Sequence, residues 1–282
     1  MNSHLVVAST LLVAAAAAQA PAWTQLGGPA VTVSGTGALT RAPAGVGSVG
    51  VAWHDYVSGS TFAFGNPGWS IATTGTGPNG LMFAAMAGHQ YAAVSFGGLT
   101  GTGMFSNLAD GLSLAGGFAT WGPAPSGPPA RMMHSMTAVG TSYIVLFGGF
   151  DGANALNDVW TYSFFTSTWT PRVPTGLQPP PRTFASLSEG AGGTVVLFGG
   201  VDGSNQIVGD TWQLTFTFLS PTWAQIGGVA PSPRASAGMA WDPVRKVAVL
   251  QGGQVATGSL SDTWELRNDS GAPLWRSAIT SG

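Results

Sequence analysis

The chain has 282 residues, a formal net charge of -2 and only 7% charged residues, which leaves no electrostatic footprint for nucleic acid or an anionic membrane surface. The absence of cysteine excludes a disulfide framework, a thiolate metal site and a Cys nucleophile. A hydrophobic content of 44% excludes a disordered chain, and 43 Gly with 19 Pro in no Gly-x-y period indicate short strands joined by many turns.

In chain order, the apolar run LVVASTLLVAAAAAQA from Leu5 to Ala20 ends in small residues and is short for a membrane span. It has the form of a secretory signal peptide, the alternative being a buried Ala-rich helix. Residues 1–18 are therefore expected to be a leader cleaved after Ala18 or Ala20, with 19–282 as one domain that is secreted, periplasmic or extracellular. No later segment is apolar for long enough to cross a bilayer, so no membrane insertion is expected after leader removal. The following AWTQLGG matches PTWAQIGG around Trp223 and reads as an outermost strand. Next, VGVAWHDYVSGSTFAFG aligns with AGMAWDPVRKVAVLQGG by placing Trp53 on Trp241, yet Gly65 stands alone for a Gly pair and Trp69 follows four residues later. This first unit reads as degenerate, short of one strand.

From about residue 71 the pattern becomes regular. Apolar strands ending in Gly-Gly close at Gly98, Gly149, Gly200 and Gly253, at intervals of 51, 51 and 53. Asp110, Asp158, Asp210 and Asp262 keep the same beat, and the last three open the words DVW, DTW and DTW. A closing Trp recurs at Trp121, Trp169, Trp223 and Trp275. Arg131, Arg182 and Arg234 each follow prolines, 17 or 18 residues before a Gly pair of their unit; in the second unit Gly80 stands at the Arg position. Two apolar segments separated by a turn lie between Arg and Gly-Gly, and a second such pair follows, so each unit supplies two hairpins and four strands.

Together these registers resemble the kelch repeat, as in the central domain of galactose oxidase. The resemblance covers about 71–282 and implies an all-β, kelch-type β-propeller of four-stranded blades. About five blades are expected, the first degenerate, with an incomplete six-bladed ring as the alternative; the leader makes this a secreted bacterial kelch protein in expectation. The physical reason for repetition is packing. A lone four-stranded sheet leaves two apolar faces uncovered, and stacking each against a neighbour buries them. The Gly pair is expected where backbones crowd and φ turns positive, so that Ala at Gly148 or Gly199 clashes. Trp169 and Trp223 are expected to bury their rings against the next blade, and each repeat Asp to bond the amides of its own turn.

One loop face then collects Arg131, Arg182, Arg234, His134, Asp151 and Asp202, a set suited to a carboxylate, a polar glycan or a protein. The resemblance implies instead that the arginines brace blades, and Asp-Gly is ordinary turn chemistry. His54 and His89 fall on the opposite face. There is no His cluster with metal-ligand spacing, no nucleophile elbow and no phosphate loop, so neither metal nor cofactor is expected. Asp151 and Asp202 sit at equivalent points of adjacent units, a poor arrangement for paired-carboxylate chemistry. The expected function is an exported, non-catalytic propeller that binds a glycan or protein through its loop face; the catalytic oxidation of galactose oxidase, which needs a Tyr-Cys crosslink, does not carry over. The alternative is an epimerase- or lyase-like enzyme acting on a carboxylated sugar, with His134 as acid or base.

Overall fold

A computed structural model describes the backbone of strands between 37 and 74, and residues 80–89, 92–113, 119–125, 127–216, 220–268 and 272–278. The leader expected over 1–18 and the strand expected around Trp23 lie outside these residues. The architecture is all-β and propeller-like, with antiparallel sheets following one another along the chain. The first sheet holds β1 (Gly37–Ala42), β2 (Gly50–Asp55), β3 (Ser60–Gly65) and β4 (Gly68–Ile71). In the second, β7 (Ala85–His89), β8 (Ala92–Phe96), β10 (Ala109–Ser113) and β11 (Ala119–Ala124) form the blade; β5 (Thr73–Thr74) adds to its outer edge, while β6 (Leu81–Met82) pairs with β9 (Leu99–Thr100). The third is β12 (Ser135–Val139), β13 (Tyr143–Phe150), β14 (Ala155–Ser163) and β15 (Thr168–Arg172). In the fourth, β16 (Arg182–Thr183) and β17 (Ser186–Glu189) both pair with β18 (Val195–Asp202), followed by β19 (Ile207–Phe216) and β20 (Pro221–Ile226). The fifth is β21 (Gly238–Asp242), β22 (Val247–Val255), β23 (Gly258–Arg267) and β24 (Leu274–Ser277). Sheets two to five are the four blades with kelch grammar.

The innermost strands pack in succession, β1 on β7, β7 on β12, β12 on β17 and β17 on β21. This corrects the reading of the first unit. It has four strands, with 37–42 innermost and Trp53 on the second strand, whereas Trp241 is on an innermost one. Setting one Trp on the other shifted the register by a strand.

Each blade's second strand is apolar at successive positions because both its faces are covered. Ile144 and Leu146 join the cluster shared with the second sheet, while Val145 and Phe147 join the one shared with the fourth. Closing tryptophans complete these seams by packing on the preceding blade, not the next. Trp169 lies on Phe96 at 5.4 Å, Trp223 on Phe147 at 5.5 Å and Trp275 on Phe198 at 5.5 Å. The far face of the fifth sheet is also covered, at Val247, Val249, Thr263 and Glu265.

The Gly pairs meet the expectation in detail. Gly148 and Gly199 have φ of 65° and 64°, and a Cβ there would come within 2.8 Å of the Arg182 carbonyl oxygen and 2.4 Å of that of Arg234. The second Gly of each pair presses on its own blade: a Cβ on Gly149 would meet the Met132 oxygen and the His134 Cβ at 2.8 Å. The pair therefore sits where one blade's second strand meets both its own first strand and the next blade's entry, with a bulge in the ladder.

Candidate functional site

The chain enters the third, fourth and fifth blades through a proline-flanked Arg, and a backbone oxygen two residues earlier accepts from its Nε. Arg131 donates from Nε to the Pro129 carbonyl at 3.1 Å, from Nη1 to the Gly148 carbonyl at 3.0 Å, and through a two-pronged fork to Asp158 at 2.6 and 2.8 Å. Trp160 adds its Nε1–H to the same carboxylate at 2.7 Å. The fourth blade repeats the bracket with Arg182, Pro180, Gly199, Asp210 and Trp212, and the fifth with Arg234, Ser232, Gly252, Asp262 and Trp264. All three Arg side chains are fully buried. Their forks are spent on their own blade and face no opening, so the expected ring of arginines around a ligand is not what the geometry forms. The repeat Asp is the guanidinium's partner rather than a cap for its own turn. Burial pushes the Asp210 carboxyl up, but hydrogen bonds from Arg182 and Trp212 outweigh it and hold the pKa below the usual value; for Asp262 the bond from Arg234 is the leading cause of the same shift.

In the second blade this bracket is absent at both ends. Positive φ recurs two residues after each Arg, at Met133, Phe184 and Ser236, and again at Phe83, which sets Leu81, not Gly80, at the Arg position. Ladder register places Ala109 opposite Phe96 as Val159 is opposite Phe147, so Leu108, not Asp110, occupies the place of Asp158. Asp110 instead replaces Trp160, and burial raises its pKa.

His134, expected as a candidate acid or base, is 7% exposed and packs edge-on against Phe96 of the preceding blade at 5.5 Å. Neither ring nitrogen has a well-formed hydrogen bond. Burial, helped by the nearby Arg131 charge, pulls its pKa down to about 3; Asp158 and the Phe96 backbone oppose this weakly. The imidazole is a neutral seam residue and does not reach a substrate on the open face.

Asp151 and Asp202 do reach that face. Asp151 Oδ1 accepts from the amides of Ala153 and Asn154 at 2.8 and 2.7 Å, and Asp202 Oδ1 from those of Ser204 and Gln206 at 2.9 Å each. These bonds shape the turns between second and third strands and leave 151–154 and 203–206 exposed. The amides of Asn154 and Ala153 hold the Asp151 carboxyl below its ordinary range. Among the described residues no group of three or more His, Asp or Glu is placed to hold a metal ion, and no helix is long and apolar enough to cross a membrane.

Residues 117–282 match the family described as the KLHDC2/KLHL20/DRC7 Kelch-repeats domain. The chain belongs to the kelch-repeat family. It is similar to Adagio-like protein 1 of Oryza sativa subsp. japonica, 31% identical over 163 residues that are 56% of this chain and 26% of that protein. It is also similar to the serine/threonine-protein phosphatase BSL2 of Arabidopsis thaliana, 33% identical over 111 residues, 38% of this chain and 11% of the relative. The flagellar outer-arm dynein alpha chain of Chlamydomonas reinhardtii is 32% identical over 111 residues, 38% of this chain and 2% of that protein. The match thus spans about a quarter or less of each of these relatives.

Proposed function

We propose that this kelch propeller is a non-catalytic binding module that recognises a protein partner through the loops 99–104, 151–154 and 203–206. One observation carries the reading. The repeat's arginines and His134 are buried inside the blades and Asp158, Asp210 and Asp262 are spent on pairing with those arginines, while Asp151 and Asp202 each spend one oxygen to shape a loop that stands exposed. Repeating a buried framework from blade to blade while leaving the loop tips exposed is how a rigid scaffold presents a recognition surface. The exposed Asp151 carboxylate and the half-buried Asp202 favour a partner surface rich in Lys, Arg or amide groups. Kelch propellers in multidomain relatives such as a phosphatase fit a recognition role. Export, in front of this function, is proposed from the apolar run 5–20 alone.

The test compares capture of partners by the full chain and by Ala153→Arg and Ser204→Arg, which add bulk and charge at exposed tips. Both variants should keep the wild-type melting temperature and lose the captured protein. Unchanged capture would remove the loop face from consideration. Saturable binding on a glycan array that the same variants abolish would replace the protein partner by a glycan.

A further inference from the structure

The residue two places after each blade-entry position has a backbone that favours glycine. At Phe83, Met133, Phe184 and Ser236 φ lies between 53° and 58°, a left-handed region in which a side chain is strained. Backbone bonds link the four in order. The Met133 amide donates to the Phe83 carbonyl at 3.0 Å, Phe184 to Met133 at 3.0 Å and Ser236 to Phe184 at 2.9 Å. These bonds tie the inner mouths of successive blades together without using a side chain. Three of the positions nevertheless carry a large apolar group that is left half-buried, while the fifth blade has an exposed serine there. Ser236 shows that the arrangement does not require such a group.

Placement gives these side chains a use. The Phe83 and Phe184 rings meet edge-on at 5.9 Å although the third blade separates theirs, so they converge at the inner mouth of the loop face, with Met133 between. Ladder register sets the two carboxylates beside them. Asp202 stands opposite Arg182, two residues before Phe184, and Phe150, next to Asp151, is bridged to Met132, next to Met133.

The charge of this rim is one-sided, because each of the chain's nine Lys and Arg residues has a place elsewhere. Three are locked in the brackets; of these, Arg131 adds least to keeping Asp151 ionised and is already paired with Asp158. Arg41 lies by register beside the β1–β2 turn, Arg245 and Lys246 lie between β21 and β22, and Arg267 ends β23, all at the opposite end of the blades. Arg172 and Arg276 belong to the outermost strands β15 and β24.

We infer that the inner mouth of the loop face seats one apolar side chain of the partner on Phe83 and Phe184, from an extended segment that carries Lys or Arg beside it for Asp151 and Asp202. This deepens the protein-partner reading above and rests on it. An apolar anchor in an aromatic centre supplies affinity, and charges at the rim select the partner and hasten encounter. Met133 lets the centre adapt to the shape of the anchor. An acidic segment would be repelled by the rim.

Selection of displayed random heptapeptides on the immobilised full chain tests the inference. Enriched sequences should combine a Leu, Met or aromatic residue with a neighbouring Lys or Arg. The most enriched peptide, synthesised and titrated, should bind Phe184→Gly about tenfold more weakly. That variant suits the local backbone and should keep the cooperative unfolding transition. Asp202→Asn keeps an oxygen for the amides of Ser204 and Gln206 and should weaken the peptide about fivefold at low salt and little at high salt. No enrichment, enrichment of acidic peptides, or full affinity in Phe184→Gly would each overturn the inference. If Phe184→Gly binds fully while Ser204→Arg does not, the inference falls and the loop-face reading stands; full binding by Ser204→Arg as well removes both.

Discussion

His134 stands three residues after Arg131, where the fourth and fifth blades carry Ala185 and Ala237 after Arg182 and Arg234. A larger, titratable ring fills a place the fold elsewhere gives to a methyl group, and it lies buried against Phe96. Its folded-state pKa of about 3 lies below the ordinary 6.5, so between these values the unfolded chain binds a proton that the folded chain refuses. Stability from this group is therefore complete above pH 6.5 and falls as pH drops towards 3. By pH 5 the loss from this residue is about 2 kcal/mol. Urea unfolding at pH 7 and pH 5 should show His134→Ala losing about 2 kcal/mol less than wild type over that interval; parallel losses would contradict the assignment. The sequence register located His134 beside Arg131 correctly. It held no information on whether the ring points out to a ligand or into the seam, because that depends on Phe96, 38 residues away.

At the scale of the element, the Arg–Asp bracket ties the entry of a blade to its third strand. Removing Asp210 alone leaves a fully buried guanidinium without its counter-ion, a change that costs about 3–5 kcal/mol in comparable buried pairs. Removing both partners is a different experiment, and the second blade has already performed it with Leu81 and Leu108. Asp210→Leu should accordingly be strongly destabilising, while Arg182→Leu/Asp210→Leu recovers most of the loss in chemical denaturation. A double variant as unstable as the sum of the singles would show that the bonds from Arg182 to the backbone oxygens, not the ion pair, carry the stability. Spacing contained a clue to this arrangement. Leu108 falls ten residues after Gly98 as Asp210 falls ten after Gly200, whereas Asp110 falls twelve after. The attraction of a matching Asp two residues later hid it.

Across the whole molecule, stability resides in seams between blades, and these are not equally finished. Trp275 donates its Nε1–H to Thr211 at 2.8 Å, but the indole N–H groups of Trp169 and Trp223 are buried without partners. In ladder register the residue equivalent to Thr211 is Ala109 for the first and Val159 for the second, neither of which can accept a hydrogen bond from its side chain. Val159→Thr, nearly isosteric, should satisfy Trp223 and gain about 1 kcal/mol, raising the melting temperature by about 2–4 °C. Because neighbouring blades cover each other's apolar faces, scanning calorimetry should register the gain as a shift of one cooperative transition; a lower melting temperature would mean that the hydroxyl and the indole do not meet. The amino-acid sequence by itself determined the repeat, the four-stranded unit, the steric need for Gly148 and Gly199, and the kelch identity, because these follow from local spacing and from backbone sterics written into each unit. Only the tertiary structure decided that the arginines turn inward to Asp158, Asp210 and Asp262, that each Trp covers the blade before it, and that Phe83 and Phe184 meet. Those facts are set by which side chains from different blades meet, and such meetings have no signature in the spacing of any single unit.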